Sequence, residues 1–225
     1  MDRQADERGD GGNDGGADQR SDAFLDDADP DELEEMEDCL LHTIRQGLFL
    51  GSMQAEANLE AMRAKGVTHV LQVGEGLTPS YPELFTYKGI YVDDDEREDL
   101  VAHFPKCFSF IEEACSSEGG ELFGAGRVLV HCAAGCSRSA TVCLGYLMWK
   151  DNLTFDEAWR VVHAARPWIC PNDGFKKQLR EFERLGCDLA KWRAWRHVEP
   201  QQHEQNRRAA ATKMVLDRSK VLDGC

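Results

Sequence analysis

The sequence predicts one α/β domain with a central, mostly parallel sheet flanked by helices, and a disordered acidic tail. Three observations support this. Strand-like and helix-like segments alternate over residues 41–187. The segment at 126–130 reads GRVLV, as apolar as a strand covered on both faces. The start of the chain differs from the rest in charge. We predict a tail over 1–40, a domain over 41–187 and a basic, partly disordered helical extension over 188–225.

The acidic tail carries most of the net charge. The 225 residues have a formal charge of −15, and residues 1–38 contain 16 acidic residues against three arginines, which gives −13. Glycine is frequent there and apolar residues are rare, so burial cannot offset the entropy of ordering the chain. The tail serves either as a solvating spacer or as a docking or autoinhibitory arm that competes with anionic ligands.

The first half of the domain reads as strands around one helix. Thr43–Ser52 alternates and breaks at a glycine, which predicts one or two short strands. Ala55–Gly66 predicts a helix that stops at its glycine. Val67–Gly74 and Tyr87–Asp94 predict the next two strands.

The second half is mainly helical. From Leu100 the apolar residues recur at helical spacing, and the GRVLV strand follows. Three helices are predicted after it, over Ser139–Lys150, Thr154–Ala165 and Asn172–Leu185. The second of these opens with TFDE, which predicts a capping box.

Composition also bounds the surroundings of the protein. Nine cysteines without framework-like spacing indicate reduced thiols, and no signal peptide or apolar run of membrane-spanning length is found. We therefore expect a cytoplasmic or nuclear protein without a membrane span. Trp192 and Trp195 in the basic extension favour a helix docked on the domain with a frayed end. Contact with a membrane, a partner or nucleic acid is the alternative, and we expect no nucleic-acid partner.

The segment VLVHCAAGCSRSATV, Val128–Val142, carries the chemistry. A buried strand delivers a loop to the carboxyl edge of the sheet, and the next helix points its positive end at the same place. Small side chains let successive N–H groups surround an anion, and an arginine can grip two phosphate oxygens. We call residues 132–138 the phosphate loop. Its predicted phosphate-binding residues are Ala133, Ala134, Gly135, Cys136, Ser137 and Arg138.

Cys132 stands at the bottom of this loop. Helix dipoles, N–H groups and a nearby cation lower the pKa of a thiol, so we expect a thiolate placed to attack phosphorus. Cys136 is either a tolerated small residue or a resolving thiol that protects oxidised Cys132. His131 and the two cysteines could ligate zinc, but a metal would fill the phosphate site. We expect no metal and no cofactor.

The loop resembles the His-Cys-x5-Arg-Ser signature of protein tyrosine phosphatases. His131, Cys132, Gly135, Arg138 and Ser139 are in register with that signature. The segments IRQGLFLGS, VTHVLQV and RPWICPNDGFKKQL are similar to segments of dual-specificity phosphatases. The sequence is thereby identified as a compact, atypical dual-specificity phosphatase, which implies a protein tyrosine phosphatase-like fold.

Phosphate transfer also needs a carboxylic acid to protonate the leaving oxygen. The resemblance places the acid six residues before Leu100, at Asp94, with Asp93 and Asp95 as alternatives. Glu96, Glu98 and Asp99 are expected to be solvated.

Three further roles follow from the resemblance. Ser139 helps the thiolate to depart, His131 braces the loop and Asn172 hydrogen-bonds nearby backbone. Ser139 and Asn172 also fit the pattern of helix N-caps, and the two kinds of role can coexist.

The resemblance implies hydrolysis of phosphotyrosine and phosphoserine or phosphothreonine in proteins through a phosphocysteine. A mitogen-activated protein kinase is one candidate substrate. A lipid or RNA-end phosphatase is an alternative, disfavoured because the loop lacks lysine and its rim is acidic. A phospho-binding pseudophosphatase is another, disfavoured because Cys132, Arg138 and Asp94 are all present.

Overall fold

The structure is a computed structural model that describes residues 38–116, 118–119 and 124–196. The predicted disordered tail up to residue 37 and the end of the extension, 197–225, lie outside the described residues. The predicted boundaries at 41 and 187 stay predictions.

The described strands form a mixed, mostly parallel five-stranded sheet and a separate two-stranded one. The large sheet has the order β1-β2-β7-β3-β4, with β1 antiparallel to β2 and the other pairs parallel. The strands are β1 His42–Arg45, β2 Leu48–Gly51, β3 His69–Val73, β4 Thr86–Ile90, β5 Glu118–Gly119, β6 Gly124–Ala125 and β7 Val128–His131. The predicted fold class is confirmed.

Helices cover both faces of the large sheet. They are α1 Met53–Ala57, α2 Leu59–Ala64, a 3₁₀ turn Val101–His103, α3 Phe104–Ser116, α4 Arg138–Asp151, α5 Phe155–Ala165, α6 Asp173–Arg184 and a last helix, α7, over 189–196. The predicted capping box at the start of α5 is present, with Thr154 and Glu157 bonded reciprocally.

Alternation along the central strands builds two hydrophobic cores. In β7, Val128 and Val130 belong to the larger core, which also contains buried residues of α3 to α6. Leu129 points to the opposite face and packs in the smaller core with Met62 of α2. Both faces of β7 are covered, which explains why Val128, Leu129 and Val130 are all apolar. The phosphate loop begins directly after the carboxyl end of this strand.

Two predicted elements differ in the structure. The helix predicted over Ala55–Gly66 is two short helices, because the Asn58 side chain accepts a hydrogen bond from Ala61 N (3.0 Å) and caps α2. The strand predicted over Tyr87–Asp94 ends at Ile90, so the residues that follow form a loop at the carboxyl edge of the sheet.

Candidate active site

The phosphate loop joins β7 to α4 at the carboxyl edge of the sheet. Gly135 has φ +69°, and a Cβ added there would lie 2.5 Å from the Gly51 carbonyl oxygen on β2. Only glycine combines this left-handed backbone with such a close approach. The small residues of the sequence therefore let the loop fold tightly against the neighbouring strand.

The carbonyl groups of the loop are all engaged on its outer side. Those of Ala133 to Ser137 accept hydrogen bonds in turn from Met53 N (3.0 Å), Arg166 Nη2 (2.8 Å), Arg166 Nε (3.1 Å), Cys170 N (2.8 Å) and Thr141 N (2.9 Å). A peptide whose oxygen is fixed outward turns its N–H toward the other side. The loop thus presents consecutive N–H groups inward, the arrangement that binds anions.

Cys132 lies at the floor of this loop and is 2% exposed. Its sulfur accepts hydrogen bonds from Gly135 N (3.2 Å) and from Ser139 Oγ (3.2 Å). Ser139 is the second residue of α4, so helix geometry brings its hydroxyl to the sulfur.

Arg138, the first residue of α4, directs its guanidinium toward the same place. Nη1 donates to the Val92 carbonyl (3.4 Å), whereas Nε is buried and without a hydrogen-bond partner among the described residues. A Cβ on Gly74 would lie 2.6 Å from Nη1, so the glycine after β3 makes room for this side chain. The buried Nε–H is a donor available to a phosphate oxygen.

Asp94 meets the phosphate loop from the loop that follows β4. Its Oδ1 accepts hydrogen bonds from Ser137 Oγ (2.7 Å) and Asn172 Nδ2 (2.9 Å), and its Oδ2 is 3.7 Å from Arg138 Nε. By contrast, the Asp95 carboxylate is paired with Arg97, whose side chain is 90% exposed. Of the three adjacent aspartates, Asp94 is the one bonded to the phosphate loop.

His131 is buried and directly precedes Cys132. Burial lowers the pKa of its imidazole, against a smaller raising effect of its hydrogen bond to the Cys132 carbonyl. That bond joins Nδ1 to the carbonyl oxygen at 3.2 Å. Because a carbonyl only accepts, Nδ1 must carry the proton. A neutral His131 thus holds the Cys132 peptide in place.

Of the two predicted helix N-caps, Asn172 is one in the structure and Ser139 is not. Asn172 is the N-cap of α6, where its Oδ1 accepts from Phe175 N (2.9 Å) while its amide binds Asp94. Ser139 is not a cap, because α4 begins at Arg138 and the Ser139 hydroxyl donates to Cys132. The prediction of an N-cap at Ser139 is wrong, because Ser139 already lies within the helix and its hydroxyl is bonded to the Cys132 sulfur.

Arg166 is a site residue that the sequence reasoning did not single out. Its side chain is fully buried and holds two phosphate-loop carbonyls, those of Ala134 and Gly135. Its Nη2 also pairs with Asp38 at 2.6 Å, and its guanidinium lies over the Trp168 ring at 4.6 Å. The only signal in the sequence is its place in the RPWICPN segment.

Asp99, predicted to be solvated, accepts hydrogen bonds from Trp192 Nε1 (3.3 Å) and Arg196 Nε (2.7 Å), so that prediction is wrong.

Burial raises the pKa of the Cys136 thiol, with Arg166 acting in the opposite sense. A protonated thiol is a slower partner in disulfide formation. The resolving role of Cys136 stays a prediction.

This arrangement is that of a cysteine-based protein phosphatase. The family model described as "Dual specificity phosphatase, catalytic domain" matches residues 48–185. The chain belongs to the dual specificity phosphatase family of the protein tyrosine phosphatase superfamily, and it is an atypical member and a protein tyrosine/serine/threonine phosphatase.

Individual relatives agree. Dual specificity protein phosphatase 1B of Arabidopsis thaliana is 42% identical over 144 residues, which are 64% of this chain and 82% of that protein. Dual specificity protein phosphatase 19 of Mus musculus is 41% identical over 146 residues, 65% of this chain and 63% of that protein. The structure of human tyrosine phosphatase-like serine/threonine/tyrosine-interacting protein matches with a TM-score of 0.60 and 29% identity, over 66% of this chain and 98% of that one.

Within the described part of the chain, no helix is both long and apolar enough to cross a bilayer.

Proposed function

We propose that this phosphatase hydrolyses phosphotyrosine, phosphoserine and phosphothreonine through a phosphocysteine formed on Cys132. The observation that carries the proposal is the position of the Cys132 sulfur. It lies at the floor of a loop whose carbonyls are all bonded outward, between the donors Gly135 N and Ser139 Oγ. A nucleophile and an anion site therefore coincide.

In the first step the Cys132 thiolate attacks phosphorus, so a sulfur–phosphorus bond forms as the bond to the substrate oxygen breaks. Arg138 and the loop N–H groups hold the equatorial phosphate oxygens, where charge is spread in the transition state. Asp94 gives its proton to the leaving oxygen. Because Ser137 and Asn172 both donate to Oδ1, the carboxyl group is held at the edge of the loop.

In the second step water attacks the phosphocysteine. Asp94, now a carboxylate, takes a proton from the water, and the sulfur–phosphorus bond breaks to release inorganic phosphate. The Ser139 hydroxyl, which donates to the sulfur at 3.2 Å, stabilises the thiolate as it departs. His131 keeps the nucleophile in place through its bond to the Cys132 carbonyl.

Phosphorylated signalling proteins are the proposed substrates, with a mitogen-activated protein kinase as one candidate, and the cytoplasm or nucleus as the proposed location. Family membership supports protein substrates. The acidic residues 93–96 beside the site support them over polyanionic lipids or RNA ends, which those charges would repel.

The test of the nucleophile is Cys132→Ser. Turnover of p-nitrophenyl phosphate should fall on the order of 10⁵-fold or more, whereas inorganic phosphate should still bind, because the loop N–H groups and Arg138 remain. Cys170→Ser, an exposed thiol beside the loop, is the matched control and should keep full activity. Retained turnover in Cys132→Ser would contradict the proposal.

Alkylation and substrate capture complete the test. Iodoacetate should inactivate the enzyme by alkylating Cys132, and inorganic phosphate should slow this reaction, because the sulfur lies within the anion site. Alkylation that phosphate does not slow would contradict that arrangement. Full-length Cys132→Ser should retain phosphoproteins, and competition by inorganic phosphate should release them. Retention of phospholipid or RNA ends instead would overturn the proposed substrate class.

A further inference from the structure

The loop that carries Asp94 is held at both of its ends. We call residues 93–99 the acid loop. At one end Asp94 meets Ser137 and Asn172. At the other end is Asp99, which directly precedes Leu100 and the 3₁₀ turn. The contacts of Asp99 therefore fix the position at which the acid loop joins the 3₁₀ turn.

The Asp99 carboxylate accepts three hydrogen bonds from two separate parts of the chain. Oδ1 accepts from Ala102 N (3.2 Å) and Trp192 Nε1 (3.3 Å), and Oδ2 accepts from Arg196 Nε (2.7 Å). The Asp99 side chain is 24% exposed, so these bonds are partly shielded from water. Two of the three donors lie on α7, the helix over 189–196.

The α7 helix is firmly seated on the domain. Trp192 is 2% exposed and packs edge-to-face against Phe182 of α6, with 6.5 Å between ring centroids. Asp188 caps the helix by accepting from Ala190 N (2.8 Å) and Lys191 N (3.0 Å). The helix lies beyond residues 48–185, which match the family model, so this contact is not part of the shared catalytic core.

The middle of the acid loop depends on α6. Gln178 donates to the Glu98 carbonyl (2.6 Å), and a Cβ on Gly174 would lie 2.1 Å from the Glu96 carbonyl oxygen. The loop is therefore packed against α6 along its length and fixed at its far end by α7. A cavity of about 190 Å³ lies beside that end, lined in part by Pro105, Leu189 and Trp192.

We infer that α7 positions the general acid, with Trp192 and Arg196 as positioning residues that act through Asp99. Holding Asp99 shortens the free span of the loop, which keeps Asp94 within reach of Ser137 and Asn172 and hence of the leaving oxygen. The inference rests on the proposed role of Asp94 as the acid. It gives α7 a function in proton transfer by Asp94 and none in phosphate binding.

The test compares two substrates in the full-length protein. Phenyl phosphate has a poor leaving group that needs the acid, and p-nitrophenyl phosphate has a good one that needs it much less. Arg196→Met should lower kcat/KM, which reports the steps up to formation of the phosphocysteine, about 5-fold on phenyl phosphate, the effect of one ordinary hydrogen bond. The kcat/KM on p-nitrophenyl phosphate and the inhibition by inorganic phosphate should be unchanged. Trp192→Phe keeps the apolar bulk, removes one donor and should act in the same direction.

Arg193→Met is the matched control, because Arg193 is exposed on the same helix and makes no hydrogen bond to Asp99 within the described residues. It should leave both substrates unaffected. Arg196→Lys, which restores a cation, should recover part of the lost rate. Equal losses on the two substrates, or no loss on either, would overturn the positioning role.

A double-mutant cycle separates this inference from the proposed function. In an Asp94→Asn background, Arg196→Met should no longer change the ratio of the two rates, because the residue through which it acts is gone. A change that persists in that background overturns the inference alone. If Asp94→Asn itself leaves the ratio unchanged, Asp94 is not the acid, and the inference fails together with that assignment.

Discussion

The phosphate loop and the acid loop lie side by side but are held in different ways. The phosphate loop is fixed through its main chain, since five consecutive carbonyls accept hydrogen bonds from outside it. The acid loop is fixed mainly through side chains, those of Ser137, Asn172, Gln178, Trp192 and Arg196. The backbone of the first loop is held by hydrogen bonds from outside it, whereas the second presents a carboxylate that distant parts of the chain support.

The difference explains how the two loops can vary. Main-chain bonding depends on backbone conformation, so the phosphate loop tolerates few sequences and is recognisable by its spacing. Side-chain bonding can be supplied from any element that packs nearby, so the supports of the acid loop carry no fixed spacing. We therefore expect substitutions that disturb the backbone of the first loop or remove the Arg138 guanidinium to weaken phosphate binding and catalysis together. Substitutions that remove only a contact to Asp94 or Asp99 should affect only the proton transfer.

Among the variants that keep the Cys132 thiol, the largest effect is expected from Arg138→Lys. A lysine keeps the charge but loses the planar fork that binds two oxygens at once. Activity on p-nitrophenyl phosphate should fall about 10³-fold, in line with the contribution of arginines in other phosphoryl-transfer enzymes. Inorganic phosphate should cease to inhibit Cys132 alkylation. If phosphate still protects Cys132 from alkylation in Arg138→Lys, the proposed role of Arg138 in binding phosphate is contradicted.

Gly135→Ala should come next. A methyl group there would meet the Gly51 carbonyl oxygen at 2.5 Å, so the loop must move, and a displacement near 1 Å costs about 10²-fold in rate. Gly76→Ala is an informative control, since Gly76 has nearly the same backbone angle (φ +70°) but nothing within 4 Å of an added Cβ. Equal losses of activity in the two variants would argue against steric shaping of the loop.

Arg166→Met tests the outer support of the phosphate loop. The substitution leaves two loop carbonyls and Asp38 without their buried partner. The free energy of unfolding should fall by about 2–4 kcal/mol, and the affinity for inorganic phosphate should fall as the carbonyls turn. Denaturant unfolding and phosphate competition measure the two effects. Arg160→Met, an exposed arginine of α5, should change neither quantity.

Ser137→Ala should give the smallest effect and sharpen the contrast between the loops. It removes one of the two hydrogen bonds to Asp94 Oδ1 while the Ser137 peptide stays in the phosphate loop. The rate on phenyl phosphate should fall about 5-fold, with phosphate inhibition unchanged. Asp93→Asn should leave the ratio of the rates on phenyl phosphate and p-nitrophenyl phosphate unchanged. A selective loss of rate on phenyl phosphate in this variant would indicate that Asp93, and not Asp94, is the acid.

The fold and the phosphate loop could be predicted because each follows from local pattern. The apolar run at β7, the small residues around Gly135 and the register of Cys132 with Arg138 all lie within a dozen residues. The capping box of α5 is likewise a contact between residues three apart. The break between α1 and α2 was missed because helical spacing on its own does not reveal that the Asn58 side chain caps a second helix.

The supports of both loops could not be predicted because their partners are far apart in sequence. Arg166 reaches the phosphate loop across 31 residues to Gly135, and Asp99 meets Arg196 across 97. Nothing in the acidic run 93–99 distinguishes Asp99 from its solvated neighbours. Only the packing of α7 on α6 brings a tryptophan and an arginine to that carboxylate.

The ion pair between Asp38 and Arg166 bears on how the protein should be shortened for laboratory work. A fragment cut to begin at Leu41, one residue before β1, would lose the carboxylate that pairs with a fully buried guanidinium. It would also lose the Asp38 carbonyl that accepts from Ser52 Oγ (2.8 Å). A shortened protein should therefore begin before Asp38. Otherwise low activity caused by the loss of the Asp38 contacts could be mistaken for a property of the active site.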